Sequence, residues 1–211
     1  MKKITILLIT AMFTLATSAF AGGMIGVKYG NGDLTGSSQA YTSGSTSYGA
    51  ESGSKDNEFG AIFAEVNIKE SPISIGLEYV PFDADISLNA KNSGVSANVS
   101  DYRTIYALAM HELNEVSVYA KLGYSMADIG TIKSDSTTTT VNSKSSELEG
   151  MMYGFGVQSK ELPFGLVARA EYTFTEFDDI SVTTTSNGSA SVKKTADGEL
   201  ETITFSIAKS F

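Results

Sequence analysis

The sequence predicts an all-β protein, an eight-stranded antiparallel up-and-down transmembrane β-barrel. Three observations support this fold class: an export signal at the amino terminus, eight segments in which apolar and other residues alternate, and connections that alternate between short and long. Alternation with a period of two residues is typical of strands whose two faces meet different surroundings. The predicted strands cover residues 23–34, 58–69, 73–85, 100–112, 116–128, 149–160, 165–178 and 199–211.

The amino-terminal segment has the three parts of a cleavable signal peptide. Lys2-Lys3 precedes an apolar stretch that ends at Leu15, and Ala19-Phe20-Ala21 places small residues where a signal peptidase acts. The apolar stretch is too short for a membrane-spanning helix, which needs about 20 residues. The absence of Cys excludes a lipoprotein. We therefore expect residues 1–21 to be a signal peptide and residues 22–211 to form one barrel domain, placed in the bacterial outer membrane after signal-peptide-dependent export.

Charge and composition narrow the function classes. Loss of the signal peptide removes two lysines and no acidic residue, so the formal net charge moves from −9 to −11. That charge disfavours nucleic acid as a partner, because phosphate contacts need clustered Lys and Arg. Cys is absent, so disulfides cannot stabilise the exported fold, whereas closure of a barrel in a membrane can.

The connections between the predicted strands alternate between tight turns and long loops. The tight turns are Glu70-Ser71-Pro72, Leu113-Asn114-Glu115 and Glu161-Leu162-Pro163-Phe164, and the long loops cover about 35–57, 86–99, 129–148 and 179–198. Bacterial transmembrane barrels have short turns at the periplasmic rim and long loops outside the cell. A soluble barrel such as a lipocalin would also alternate, but here the predicted lipid-facing set is apolar from end to end and the chain finishes inside its last strand.

The last predicted strand carries a carboxy-terminal pattern. Ile203, Phe205, Ile207 and Phe211 share one face, and Lys209 alone interrupts that row. The pattern looks like the signal by which the barrel-assembly machinery recognises bacterial outer-membrane proteins. That machinery is therefore an expected partner.

Side-chain alternation predicts which residues point into the barrel, because successive side chains of a strand lie on opposite faces of a sheet. The predicted inward charges, most of them close to one level, are Lys28, Glu65, Glu78, Arg103, Lys121, Arg169 and Glu171. An eight-stranded barrel is just wide enough for side chains to fill it, and buried charge is costly unless it is paired. We expect a salt-bridge network that fills the lumen, and the alternative is a charged filter for ions.

Small and aromatic residues complete the predicted wall. The glycines expected to point inward, where they would make room for long basic side chains, are Gly26, Gly76, Gly123, Gly154 and Gly156. Aromatic belts at the two membrane interfaces are typical of such barrels. The predicted outer belt contains Tyr29, Tyr79, Tyr102, Tyr124, Tyr172 and Phe174, and the periplasmic belt contains Phe164 and Phe211.

The long loops hold most of the sequence that could bind a specific ligand. They are rich in Ser and Thr, and Asn187-Gly188 should form a tight turn that extends strands seven and eight. Lys91-Asn92-Ser93-Gly94 should cap a similar extension of strands three and four. Candidate extracellular partners are lipopolysaccharide, another cell or a phage. The alternative is a set of solvated loops without a dedicated partner.

Two segments resemble a known family. Tyr119-Ala120-Lys121-Leu122-Gly123-Tyr124, and the hairpin from Tyr153-Gly154-Phe155-Gly156-Val157 into residues 166–174, are similar to the small bacterial outer-membrane β-barrels of the opacity-protein and OmpA-like group. The resemblance implies an outer-membrane surface protein, in contact with outer-membrane lipid and lipopolysaccharide, and in many members no enzyme activity. It also implies an inner Arg, Glu and Lys cluster, for which this sequence offers Glu78, Lys121, Arg169 and Glu171. Full-length OmpA-type proteins continue into a peptidoglycan-binding domain, whereas this sequence ends with the barrel, so cell-wall tethering is not implied.

Two other function classes are open at this point. Barrel enzymes that modify lipopolysaccharide act from the outer rim and need a His for acyl chemistry. His111 falls at the periplasmic end, is expected to point inward, and lies in a segment that does not resemble the deacylase motif, so we expect no enzyme. We also expect no cofactor, because no residues have metal-ligand spacing and no Gly-rich segment forms a phosphate loop. A narrow channel for ions or small solutes is the remaining alternative.

Overall fold

Eight long strands form one closed antiparallel barrel in the computed structural model, which describes residues 20–43, 45–81, 83–90, 93–130, 133–134, 139–142, 146–186 and 192–211. These strands are β1 Phe20–Ser38, β2 Glu51–Ile68, β3 Ile73–Tyr79, β4 Ser93–Glu112, β5 Val116–Ile129, β6 Ser146–Ser159, β7 Leu166–Ser186 and β8 Val192–Ser210. Each strand pairs with its neighbours in sequence, and β1 also pairs with β8, which closes the wall. The predicted fold class is confirmed. The predicted signal peptide stays a prediction, because residues 1–19 lie outside the described residues.

Three short connections lie at one end of the barrel, which we call the tight-turn rim. Residues 69–72 join β2 to β3, residues 113–115 join β4 to β5, and residues 160–165 join β6 to β7. The start of β1 and the end of β8 lie at the same rim, because Met24 is in register with Ser210. The predicted alternation of turns and loops is thereby confirmed. We call the opposite end the long-loop rim.

The strands continue toward the long-loop rim beyond the eight segments predicted as strands. β1 and β8 pair as far as Ser38 and Ala196, and β7 and β8 pair as far as Thr184 and Val192. The segment Ala84–Ala90 pairs with β4 over residues 93–99. The predicted extensions of both hairpins are confirmed, although Asn187-Gly188 and Lys91-Asn92 themselves lie outside the described residues. Ser- and Thr-rich segments can extend a sheet in this way because Thr favours strands and alternation persists within them.

Shorter segments complete the described part of the long-loop rim. Tyr41–Ser43 pairs with Thr46–Tyr48, Lys133–Ser134 pairs with β4, and Thr139–Asn142 pairs with β7. The ladders of β4 with β5 and of β7 with β8 each shift register once, between Ser100 and Arg103 and between Phe177 and Ile180. Such bulges lie at barrel rims, where they bend a strand and re-aim its side chains.

The two faces of the wall are the reverse of those in a soluble protein. β5 alternates strictly between outward, exposed residues and inward, buried ones over most of its length. Outside, apolar side chains such as Phe155 and Phe205 are 65% exposed, whereas the inward Glu65 is 2% exposed. An apolar outer band over a polar interior is typical of transmembrane barrels. Within the described residues, no helix is long and apolar enough to cross a membrane.

Candidate functional site

Four charged side chains from four different strands meet in the lumen and form a closed ring of ion pairs, which we call the lysine–glutamate ring. Lys28 Nζ lies 2.7 Å from Glu78 Oε2 and 2.6 Å from Glu171 Oε1. Lys121 Nζ lies 3.1 Å and 3.0 Å from the same two oxygens. Each lysine therefore bridges both glutamates. The strands β1, β3, β5 and β7 supply one member each, so the ring ties alternate strands together across the barrel.

A second ion pair lies next to the ring on the side of the tight-turn rim. The Arg169 guanidinium donates to both carboxylate oxygens of Glu65, over 2.6 Å from Nη1 and 2.7 Å from Nη2. Its Nε donates to Gln158 Oε1 over 2.6 Å. A bidentate pair of this geometry is among the strongest interactions available to a carboxylate.

Three inward aromatic side chains enclose the charged groups. The Tyr106 hydroxyl donates to Glu65 Oε1 over 2.7 Å, and the Tyr119 hydroxyl donates to Glu171 Oε2 over 3.0 Å. Lys121 Nζ lies 3.9 Å from the Tyr106 ring centroid, and the Arg169 guanidinium lies 5.2 Å from that of Tyr119 and 5.7 Å from that of Phe63. Cations at such distances are attracted to the ring faces.

Three inward glycines in the half of the barrel nearer the tight-turn rim make room for these aromatic rings. Gly76 is in register with Tyr106 and Gly156 with Tyr119, and a Cβ at either glycine would overlap the tyrosine ring. A Cβ at Gly26 would lie 2.6 Å from the Phe63 ring. The prediction that glycines point inward is confirmed. The predicted reason is wrong here, because the space goes to aromatic rings, which in turn contact the basic groups.

The lysine–glutamate ring and the Glu65–Arg169 pair together carry no net charge, and every charged group in them has a partner of opposite charge. Three cations, Lys28, Lys121 and Arg169, face three anions, Glu65, Glu78 and Glu171, and all six residues are buried. Breaking one partner of such a pair would leave an uncompensated buried charge, which is strongly destabilising. The arrangement can hold opposite walls together and block the lumen. Among the described residues, no group of three or more His, Asp or Glu could hold a metal ion.

Arg103 corrects the predicted network. Its guanidinium lies on the outer face of β4, 2.6 Å from the carboxylate of Glu147, and its side chain is 17% exposed. Tyr102, predicted to face lipid, instead points inward and donates to Ser125 Oγ over 3.1 Å. His111, predicted to point inward, is exposed. All three errors have one cause: the prediction turned β4 over, because this strand is apolar on both faces, with Ile105 and Ala107 outside and Tyr106 and Leu108 inside.

On the outer face, each of the four hairpins carries one tyrosine hydrogen-bonded to a carboxylate of its partner strand. Tyr79 donates to Asp101 over 2.8 Å, Tyr124 to Glu149 over 2.8 Å and Tyr172 to Glu201 over 2.9 Å. Tyr29 forms the corresponding bond with Glu58. A tyrosine with an apolar body and a polar tip is typical of a membrane interface. The four pairs place that interface just beyond the lysine–glutamate ring, toward the long-loop rim.

The predicted assembly pattern lies on the outer face of β8. Ile203, Phe205 and Ile207 are exposed, and so is Phe211 at the tight-turn rim. The backbone of Phe211 exchanges two hydrogen bonds of 3.0 Å with Gly23, so the closing ladder extends to that residue. Lys209 donates to the Phe164 carbonyl at the neighbouring turn. The role of this row in assembly stays a prediction.

Comparisons with known proteins agree with this geometry. The family model described as "Outer membrane protein beta-barrel domain" matches residues 4–204. No curated protein matches the sequence. Among solved structures, the outer membrane protease OmpT from Escherichia coli is 12% identical, with 93% of this chain and 99% of that one covered and a TM-score of 0.54.

Two further solved structures are similar. The outer membrane protein AlkL is 11% identical, with 92% of this chain and 93% of that one covered and a TM-score of 0.50. Neisserial surface protein A is 14% identical, with 87% and 97% covered and a TM-score of 0.47. At identities this low, the likeness to OmpT and AlkL shows the fold alone.

Proposed function

Because the chain belongs to the outer membrane protein beta-barrel domain family, we propose that it is a structural or surface-interaction barrel of the bacterial outer membrane with a closed lumen. The observation that carries this proposal is the neutral layer in which all six buried charges are paired. A conducting filter must bind an ion and release it. Here each carboxylate already accepts from a protein cation at hydrogen-bonding distance, so an entering ion would have to displace a bound partner.

The role at the cell surface is carried by the long-loop rim. All four hairpins continue as paired strands beyond the tyrosine–carboxylate pairs, and this supports a raised surface on which the Ser- and Thr-rich loops are displayed. Lipopolysaccharide around the wall and an extracellular partner at the loops are the ligands we propose. Export by the signal peptide and insertion by the barrel-assembly machinery belong to the same proposal.

A narrow channel for ions or small solutes is the second candidate. It is favoured by one observation: the lumen is blocked by side chains such as Lys28 and Lys121, which have several rotatable bonds, and a rearrangement of these pairs could open a path. We further propose that the protein has no enzyme activity. In support, His111 is exposed at the tight-turn rim, remote from the outer leaflet.

Conductance of the folded protein in a planar lipid bilayer tests the main proposal. Folding is established first by gel migration in SDS, because a closed barrel migrates faster without boiling than with it. We expect the folded protein to give no discrete current steps above those of the empty bilayer. Steady single-channel currents from the heat-modifiable protein would favour the channel instead.

A further inference from the structure

A second layer of the lumen, made of apolar side chains, lies between the charged network and the long-loop rim. The cluster consists of the buried residues Ala127, Ile129, Leu148 and Phe177, with the partly buried Leu34, Val99, Tyr102, Ile180 and Leu200 packed against them. We call it the apolar layer. Its members come from β1, β4, β5, β6, β7 and β8, so it spans most of the circumference.

The spacing from the lysine–glutamate ring to the apolar layer is regular. Leu34 follows Lys28 by six residues, Ala127 follows Lys121 by six, and Phe177 follows Glu171 by six. At about 3.3 Å per residue and a strand tilt near 40°, the two layers are separated by roughly 15 Å along the barrel axis. The apolar layer therefore lies at or beyond the level of the tyrosine–carboxylate pairs.

Small hydroxyl side chains lie between the two layers. Thr104 and Ser125 are hydrogen-bonded over 2.8 Å, and Thr173 and Thr202 over 2.7 Å. These residues are buried as well. The described lumen thus changes from charged to hydroxyl-lined to apolar toward the long-loop rim.

From this order of layers we infer that the lumen is closed twice in series. The ion-pair network closes it within the membrane, and the apolar layer closes it again nearer the long-loop rim. An ion that passed the first layer would still have to lose its hydration at the second, since apolar constrictions block ions by excluding water. Opening of the ion pairs alone would therefore not create a pore. This inference rests on the proposed function, which the wild-type protein tests separately.

The experiment compares four proteins in planar bilayers, each shown to fold by heat-modifiable migration. The wild type is measured beside a ring variant (Lys121→Ala with Glu171→Ala, which keeps the lumen neutral), an apolar-layer variant (Leu148→Ser with Phe177→Ala), and the combination. We expect discrete openings from the combination at a conductance at least tenfold above the background of the other three. A silent wild type with an open ring variant would overturn the series closure alone, whereas an open wild type would overturn the proposed function.

Cysteine accessibility gives a second measurement that does not need the ring variant to fold. The chain has no Cys, so Ser125→Cys places one thiol between the two layers. A small cationic thiol reagent added to the folded protein should modify this Cys at least tenfold faster when the apolar layer also carries Leu148→Ser. Equal rates with and without Leu148→Ser would overturn the proposal.

Discussion

At the scale of the residue, burial decides what an ion pair contributes. Glu65 and Arg169 are bidentate and buried, whereas Arg103 and Glu147 form a pair of similar length on the outer face, where Glu147 is exposed. Exposed pairs stabilise by about 0–1 kcal/mol. Loss of one partner from a buried pair costs about 3–5 kcal/mol, because the remaining charge is left without compensation.

The pair Glu65→Ala and Glu147→Ala tests this difference. We expect Glu65→Ala to lower the free energy of unfolding by about 3–5 kcal/mol, and Glu147→Ala, the matched control, to lower it by less than about 1 kcal/mol. Urea unfolding of the refolded barrel in lipid vesicles, followed by tyrosine fluorescence, gives both values. If Glu65→Ala lowered the free energy of unfolding as little as the control does, the buried network would not hold the barrel together.

A second residue-scale prediction concerns the glycines that face aromatic rings. A Cβ at Gly156 would overlap the Tyr119 ring, whereas a Cβ at Gly49 would meet no atom within 4 Å. Overpacking of this kind costs about 1–3 kcal/mol. We expect Gly156→Ala to lower the urea midpoint of unfolding and Gly49→Ala to leave it almost unchanged. A midpoint for Gly156→Ala at the wild-type value would mean that Tyr119 can move aside without loss.

At the scale of the element, the sequence predicted strands well wherever one face is clearly apolar and the other is not. β1 and β5 each have apolar residues along their outward face, and the inward residues predicted on them, Lys28 and Lys121, were assigned correctly. β4 was assigned in reverse because both of its faces are apolar, and a shift of one residue exchanges the two faces completely. Which lysine pairs with which glutamate in the ring could not be predicted from the sequence. The pairing depends on the stagger between strands, which brings Lys28 and Lys121 to one level.

Single cysteines on β4 test its orientation directly. Because the chain has no Cys, Arg103→Cys and Thr104→Cys each provide one thiol in a clean background. The Arg103→Cys thiol should react with a water-soluble maleimide in the folded protein, because Arg103 and its partner Glu147 lie on the outer face near the membrane–water interface. The Thr104→Cys thiol should react only after boiling in SDS, because Thr104 is buried in the lumen. Reaction of Thr104→Cys in the folded state would instead support the orientation of β4 that was predicted from the sequence.

At the scale of the whole molecule, the closed wall and its filled lumen make one cooperative unit. The ring joins β1, β3, β5 and β7, and the Glu65–Arg169 pair joins β2 to β7, so charged contacts cross the lumen as well as following the ladder. We expect the protein extracted from membranes to resist SDS until boiled and to migrate faster before boiling. Protease added to intact cells should cut only at the long-loop rim. Identical migration of boiled and unboiled samples, with the protein in the soluble periplasmic fraction, would contradict a membrane barrel.

The backbone bonds between Gly23 and Phe211 have a consequence for protein engineering. They make the two ends of the described barrel neighbours at the rim of tight turns, in the same antiparallel relation as the strands on either side of each turn. A linker of a few residues could therefore join them as a fourth turn, and the chain could be opened instead at a loop of the opposite rim. Such a circular permutant would keep every wall contact and would carry both its termini at the long-loop rim, where a fused peptide could be displayed.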